Sequence, residues 1–168
     1  TFPLPEAQLD RFLIRIALGY PGRQGELEML DRQHQRHPLD SLNQVTSVDE
    51  LRAAQEAVKS IHVAQSVREY IVTLVEATRK HDEVFLGASP RGSIALFNAS
   101  RAWAAIRGRD FVLPDDVKFL AVPTLSHRII VGPAARMQGY DSRTVVNDLL
   151  RNIPIPQQTA EMRSATAV

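Results

Sequence analysis

A stripe of apolar residues recurs at three- and four-residue intervals in the middle of the chain, and it restricts this region to a helix with one buried face. The stripe consists of Val63, Val67, Tyr70, Ile71, Leu74, Val75 and Thr78. Arg79, Lys80 and His81 follow it, and such cations favour a helix C-terminus, where the helix dipole is negative. A helix with so wide an apolar face needs partners elsewhere in the chain.

Two helices are predicted before the stripe. Residues 25–35 carry two leucines at a spacing of three, and a polar connector covers 37–47. Ser47 and Glu50 then form a capping box, in which each side chain bonds the backbone N–H of the other. The apolar residues at helical spacing that follow are Val48, Leu51, Ala54, Val58 and Ile61.

Three helices are predicted after the stripe. Ser89 is a suitable N-cap and Pro90 a suitable first residue for one of them. Its predicted inner face consists of Ile94, Phe97, Arg101 and Ala104. Pro114 begins the next helix, which Pro123 ends or bends, and residues 142–152 form a last short helix.

One segment predicts a strand. Residues 12–18, FLIRIAL, form a short apolar run with β-branched Ile14 and Ile16, bounded by GYPG at 19–22. A single strand cannot satisfy its own backbone, so we expect its sheet to lie outside this chain. Residues 128–132 fit either a helix end or a short strand. The predicted fold is mainly α, a bundle of five or six helices preceded by one strand.

The composition excludes several function classes. There is no cysteine, and the five histidines lack metal-ligand spacing, so we expect no metal site in this chain. Sequence signatures of independent active sites such as GxxxxGK[ST], GxSxG and HExxH are absent. No run approaches 18 apolar residues and no signal peptide opens the chain, so we expect a cytoplasmic protein without membrane insertion.

Two binding functions stay open from the residues alone. Short helices joined by tight turns resemble helix-turn-helix units, which favours a nucleic-acid-binding module. The 20 basic and 19 acidic residues, net charge +1, and the lack of a basic recognition helix disfavour it. The other is a helical scaffold that binds proteins.

An arginine lies at the unfavourable end of a predicted helix. In the stretch LGASPRGS, residues 86–93, Arg91 falls in the first turn, near the positive end of the helix dipole. It is either a solvated surface residue or a ligand for an anion. A helix N-terminus binds phosphate through its free N–H groups, and an arginine beside it adds charge-assisted bonds.

Two further short segments admit a structural or a functional interpretation. In PEAQLDRF, residues 5–12, Asp10 and Arg11 form a local ion pair, or Arg11 reaches a phosphate as an arginine finger does. The GYPG segment is an ordinary turn or a hinge between two moving bodies.

At these residues the chain resembles the C-terminal part of MoxR-type AAA+ ATPases. The resemblance rests on PLPEAQLDRFLIRIALGYP and on the ordered series SPR, GRD and PDDV, and it covers about residues 1–156. It implies that residues 1–21 are the end of a nucleotide-binding α/β core, with the arginine-finger segment and a hinge. Residues 22–156 would form the helical lid domain, and 157–168 a tail or linker.

The resemblance also implies site residues. Arg11 corresponds to the arginine finger and Arg91 to the sensor 2 arginine, which makes both catalytic. The residues expected to bind the nucleotide are Gly19, Tyr20, Pro21, Ser89, Pro90 and Arg91. Leu113 departs from the family pattern, which usually has threonine before PDDV, and we expect this to weaken the helix cap by about 1 kcal/mol.

The family resemblance further implies a cofactor and partners. The complete protein would use ATP with Mg²⁺, but Walker A, Walker B and sensor 1 would precede Thr1. We therefore expect no nucleotide bound to this chain and no hydrolysis by it alone. The complete protein would form a ring, usually a hexamer, and act on proteins with von Willebrand factor A domains. ATP hydrolysis would drive chaperone-like remodelling or maturation of such partners, without nucleic acid.

Overall fold

The computed structural model describes residues 4–35 and 38–156, and this part of the chain is mainly helical. Its α-helices are α1 (Glu6–Leu9), α2 (Arg23–Gln35), α3 (Val48–Lys59), α4 (Gln65–Lys80), α5 (Pro90–Ile106), α6 (Pro114–Leu125), α7 (Pro133–Met137) and α8 (Ser142–Asn152). Short 3₁₀ helices cover Pro38–Ser41 and Ser126–Arg128. The mainly helical fold is confirmed; the helices not predicted are the short α1 and α7.

The described residues divide into two compact units. Residues 4–15 and 57–156 form one unit, and residues 16–56 form the other. The predicted boundaries at 21 and 156 stay predictions, and the predicted tail, 157–168, lies outside the described residues. None of the helices within the described ranges is long and apolar enough to span a bilayer.

Helix α4 is the centre of the larger unit. Every residue of its predicted stripe is buried, from Val63 to Thr78, which confirms that prediction. Helices α5, α6 and α8 pack around it. The regular spacing of the stripe and its burial agree because this helix is enclosed by three others.

Helix α5 buries only part of the predicted inner face: Ala104 is buried and Phe97 packs against the core. Ile94 is 61% exposed, whereas the buried residues are Gly92, Ala95, Leu96, Ala99, Ser100 and Ala104. These residues are mostly small, and they allow close approach to α6: a Cβ on Gly92 would lie 3.2 Å from Leu125 Cδ2. On the outer side, Trp103 stacks on Phe119 with ring centroids 4.7 Å apart.

The strand predicted over residues 12–18 does not form, and that prediction is wrong. Arg15 N–H donates to Pro123 O on α6 at 2.8 Å, so the backbone here bonds to a helix end and not to a strand partner. The two strands in the described part lie elsewhere. β1 (Val84–Leu86) pairs antiparallel with β2 (Ile130–Val131), which resolves the ambiguity over 128–132.

The start of α3 is confirmed, but its apolar stripe is not buried. Glu50 N–H donates to Ser47 Oγ at 3.1 Å and Ser47 N–H donates to Glu50 Oε2 at 2.7 Å, which is the predicted capping box. These bonds and the bond from Thr46 lower the pKa of Glu50. Val48 and Leu51 are nevertheless exposed. A capping box is local and forms whether or not the helix finds a partner.

Helix α6 begins with one half of a capping box, supplied by Asp116. The buried carboxylate of Asp116 accepts the Leu113 N–H at 2.8 Å and both terminal nitrogens of Arg109, at 2.8 and 2.6 Å. The hydrogen bonds to Asp116 raise the pKa of the Arg109 guanidinium. Leu113 has no side chain that could accept a hydrogen bond, so the Asp116 N–H bonds the backbone carbonyl of Leu113 at 3.0 Å instead.

Gly87 allows the segment between β1 and α5 to lie directly against α4. A Cβ at Gly87 would lie 2.7 Å from Arg79 Cα, Arg79 N and Thr78 O, all backbone atoms of α4. Next to it, Ala88 N–H donates to Thr78 Oγ1 at 2.9 Å, and Arg79 Nε donates to Ala88 O at 2.8 Å. The backbone before Ser89 is therefore held directly against α4.

We expect Gly87→Ala to lower the free energy of unfolding by about 1–3 kcal/mol, because two backbone segments must separate to admit the methyl group. Urea unfolding followed by circular dichroism measures this. Gly132→Ala is the matched control, since its Cβ would meet Glu83 O at an ordinary 3.6 Å. Equal stability of both variants would contradict the close packing at Gly87.

Candidate functional site

Arg11 and Arg91, predicted from distant parts of the sequence, line the same cavity. The cavity has a volume of about 420 Å³. Its lining residues are Asp10, Arg11, Leu13, Arg91, Ile94, Ala95, Asn98 and Arg128. The fold thus brings together the segment after α1 and the first turns of α5.

The N-terminus of α5 has the predicted geometry. Ser89 is the N-cap and accepts the Arg91 N–H through its hydroxyl at 3.2 Å, and Pro90 is the first helical residue. The Arg91 side chain is exposed and forms no ion pair with any residue of the described ranges. A buried carboxylate partner, which would indicate a purely structural role for Arg91, is therefore not found in this part of the chain.

Asp10 does not pair with its neighbour Arg11. Its Oδ1 lies 2.8 Å from Arg128 Nη1, and its Oδ2 accepts a hydrogen bond from the Ser89 hydroxyl at 3.0 Å. The local ion pair considered from sequence is thus replaced by two long-range contacts. Arg11 stays exposed and, like Arg91, has no ion-pair partner among the described residues.

Arg128 is the site residue that sequence analysis missed. Its side chain is 2% exposed. Nε donates to Thr124 O at 2.8 Å, Nη2 donates to Phe12 O at 2.5 Å, and Nη1 donates to both the backbone carbonyl and the carboxylate of Asp10. A buried arginine is stable when its donors are satisfied in this way.

The charges around the cavity favour an anion. Three arginines and one aspartate line it, which gives a net formal charge of three minus one, or +2. The positive end of the α5 dipole lies beside it at Ser89 and Arg91. Because Asp10 is already bonded to Arg128 and Ser89, the exposed charges of Arg11 and Arg91 are the ones available to a ligand.

His127 borders a second cavity, of about 510 Å³, that also contacts Asp10 and Arg128. Its Nε2 lies 3.0 Å from Phe12 O. Burial lowers the pKa of His127, and the nearby positive charges of Arg128 and Arg15 act in the same direction. The ring is therefore neutral near pH 7, where Nε2 can donate to the carbonyl of Phe12.

The other residues predicted to bind the nucleotide belong to the unit of residues 16–56. Gly19 has a φ of +68°, a conformation that favours glycine, and Tyr20 is 96% exposed. An exposed ring in a glycine- and proline-containing turn is suited to contact a ligand or another protein. The role of Gly19, Tyr20 and Pro21 stays a prediction.

Residues 76–149 match the AAA lid domain family. This match covers α5, α6, α7 and most of α8, together with Ser89, Arg91 and Arg128. It identifies residues 76–149 of the larger unit as similar to an AAA lid domain.

Relatives narrow this assignment. The chain is 41% identical to the protein YeaC of Bacillus subtilis over 163 residues, 97% of this chain and 51% of YeaC. It is 35% identical to the chaperone MoxR1 of Mycobacterium tuberculosis, covering 95% of this chain and 44% of that protein. It is 30% identical to the protein MoxR of Paracoccus denitrificans, covering 93% of this chain and 52% of that protein.

A solved structure agrees with these relatives. A protein from Cytophaga hutchinsonii, assigned as an ATPase, superposes with a TM-score of 0.85 at 32% identity, covering 93% of this chain and 50% of that one. These matches support the predicted resemblance to the MoxR-type AAA+ ATPases. The chain spans about half the length of the relatives that it matches.

Proposed function

We propose that this chain is the lid-bearing part of an ATP-hydrolysing AAA+ protein and that Arg11 and Arg91 are its catalytic arginines. The observation that carries the proposal is the cavity that both arginines line, with a net charge of +2, beside the N-terminus of α5. Hydrolysis of ATP requires positioning and charge neutralisation at the phosphates more than covalent participation of the protein. Two exposed arginines next to a helix N-terminus suit that task.

The donors at the cavity fit phosphate oxygens. Each guanidinium offers a planar pair of N–H donors, which matches two oxygens of one phosphate. Arg91 would bind the γ-phosphate of its own subunit and so hold the lid against the nucleotide-binding core; Arg11 would serve the nucleotide of the neighbouring subunit. We propose no Mg²⁺ ligands within the described residues, because they contain no group of three or more histidine, aspartate or glutamate side chains that could hold the ion.

Assembly and partners are part of the same proposal. A ring of six subunits would place Arg11 of one subunit at the nucleotide of the next. Chaperone-like remodelling of proteins with von Willebrand factor A domains would be the output, and the name of MoxR1 as a chaperone supports a role of this kind. A cytoplasmic location stays a prediction.

Phosphate release from ATP tests the proposed function. We expect the complete protein that contains this chain to hydrolyse ATP, and the 168-residue chain alone to release none, because the nucleotide-binding core supplies the phosphate loop. A colorimetric phosphate assay on both preparations measures this. Absence of hydrolysis by the complete protein, assembled with ATP and Mg²⁺, would contradict the ATPase assignment.

A further inference from the structure

We propose that Arg128 is a positioning residue that fixes the segment carrying Arg11 against the N-terminus of α5, which carries Arg91. The inference rests on the proposed function for its catalytic consequence. Arg128 and Asp10 are 118 residues apart in the chain, so their contact joins two segments that have no local reason to meet. Both arginines assigned to catalysis lie directly beside this contact.

The first step is the geometry of the Arg128 guanidinium. Its three nitrogens bond three different places: Thr124 O on α6, the carboxylate and carbonyl of Asp10, and Phe12 O. Asp10 and Phe12 flank Arg11 on both sides. The backbone at Arg11 is thus held from both neighbours, while its own side chain stays exposed.

The second step connects this clamp to Arg91. Asp10 Oδ2 accepts the Ser89 hydroxyl hydrogen bond at 3.0 Å, and that same hydroxyl oxygen accepts the Arg91 N–H at 3.2 Å. Arg128, Asp10, Ser89 and Arg91 therefore form one continuous series of contacts. A displacement of α5 would be transmitted through these contacts to Arg11, and a displacement of the segment around Arg11 would be transmitted to α5.

The third step is the choice of arginine. Arg128 is 2% exposed and its planar fork spans acceptors on both sides of Arg11. A lysine at this position keeps the charge and the ion pair with Asp10, but its single nitrogen cannot reach all the acceptors of the fork. Arg128→Lys is therefore expected to give an intermediate effect, and Arg128→Gln a full one.

A distance measurement tests the clamp independently of activity. The chain has no cysteine, so spin labels can be attached at Gln8→Cys and Lys80→Cys, both exposed and both in the larger unit. Pulsed electron paramagnetic resonance measures the distance between the two labels. It should give a narrow distance distribution for the parent, which carries the two labels and no other substitution. Arg128→Gln should broaden it, Asp10→Asn should broaden it less, and Arg128→Lys should lie between parent and glutamine variant.

Arg109→Gln is the matched control, because it also breaks a partly buried arginine–aspartate pair, with Asp116, but away from this clamp. It should lower stability and leave the distance distribution unchanged. An unchanged distribution in Arg128→Gln and Asp10→Asn would overturn the proposal. If Arg128→Gln folds poorly, Asp10→Asn still tests the proposal. Asp10 is partly exposed, so its substitution should disturb folding less.

Kinetics in the complete ATPase test the catalytic consequence. Arg128→Gln should lower kcat by about 10- to 100-fold, since small displacements of positioned groups have effects of this size. KM should change by less than about threefold, because Arg128 itself does not bind the nucleotide. Arg128→Lys should recover part of kcat, and Arg109→Gln should retain it.

The two readouts separate failure of the inference from failure of the proposed function. If Arg11→Ala and Arg91→Ala abolish hydrolysis while Arg128→Gln retains kcat, the positioning role is overturned and the proposed function stands. If Arg128→Gln broadens the distance distribution while Arg11→Ala and Arg91→Ala hydrolyse normally, the clamp stands and the catalytic assignment is wrong.

Discussion

Arg91→Ala in the complete ATPase should abolish ATP hydrolysis without unfolding the lid. The side chain is exposed and has no ion-pair partner among the described residues, so its loss should change the free energy of unfolding by less than about 0.5 kcal/mol. The substitution also removes a positive charge from the first turn of α5, which slightly stabilises the helix because the helix dipole is positive there. Loss of activity with retained stability therefore identifies a functional charge.

Arg68→Ala is the control for this experiment. Arg68 is also an exposed arginine near a helix N-terminus, that of α4, but it does not line the cavity. Phosphate release and thermal unfolding are measured on both variants. Parent-like turnover in Arg91→Ala would refute its role at the γ-phosphate, and equal loss in Arg68→Ala would show that the effect is not specific to the cavity.

The fold was predictable where local sequence and burial agree. The stripe on α4 has a regular helical period and the helix is enclosed, so the predicted face is the buried one. On α5 the predicted face followed the large residues, such as Ile94, whereas the close contact with α6 selects small ones, such as Gly92 and Ala95. Residue size alone does not reveal how closely two helices approach each other.

The strand prediction failed for a different reason. Residues 12–18 have the composition of a strand, but strand formation depends on a partner, which a local pattern does not supply. In this structure the backbone groups of Phe12 and Arg15 bond to Arg128 and to the end of α6. Part of the backbone of this segment therefore finds hydrogen-bond partners outside a sheet.

The site was predictable in its local part and not in its long-range part. Ser89, Pro90 and Arg91 are consecutive, and their capping geometry follows from residue preferences within one turn. Arg128 lies between His127 and Ile129, where no periodicity indicates its partner. Its role becomes visible only when the fold brings it to Asp10 and leaves it almost completely buried.

Arg11→Ala should lower the hydrolysis rate by about 10³- to 10⁵-fold, the range for removal of an arginine finger. The residue is exposed, and its neighbour Asp10 keeps its contacts with Arg128 and Ser89, so the segment should stay in place. Because Arg11 and Arg91 of one chain line one cavity, the experiment must also decide whether they serve the same nucleotide or those of two subunits.

Mixing Arg11→Ala subunits with Arg91→Ala subunits makes that decision. If Arg11 acts on the neighbouring subunit, an Arg11→Ala subunit with intact Arg91 regains activity beside an Arg91→Ala subunit that donates its Arg11. In an equal random mixture about a quarter of the interfaces have this arrangement, so about a quarter of parent activity should return. Rings shown by native mass spectrometry to contain both variants, but without any recovered phosphate release, would contradict the assignment of Arg11 and Arg91 to two different nucleotides and would place both arginines on one nucleotide.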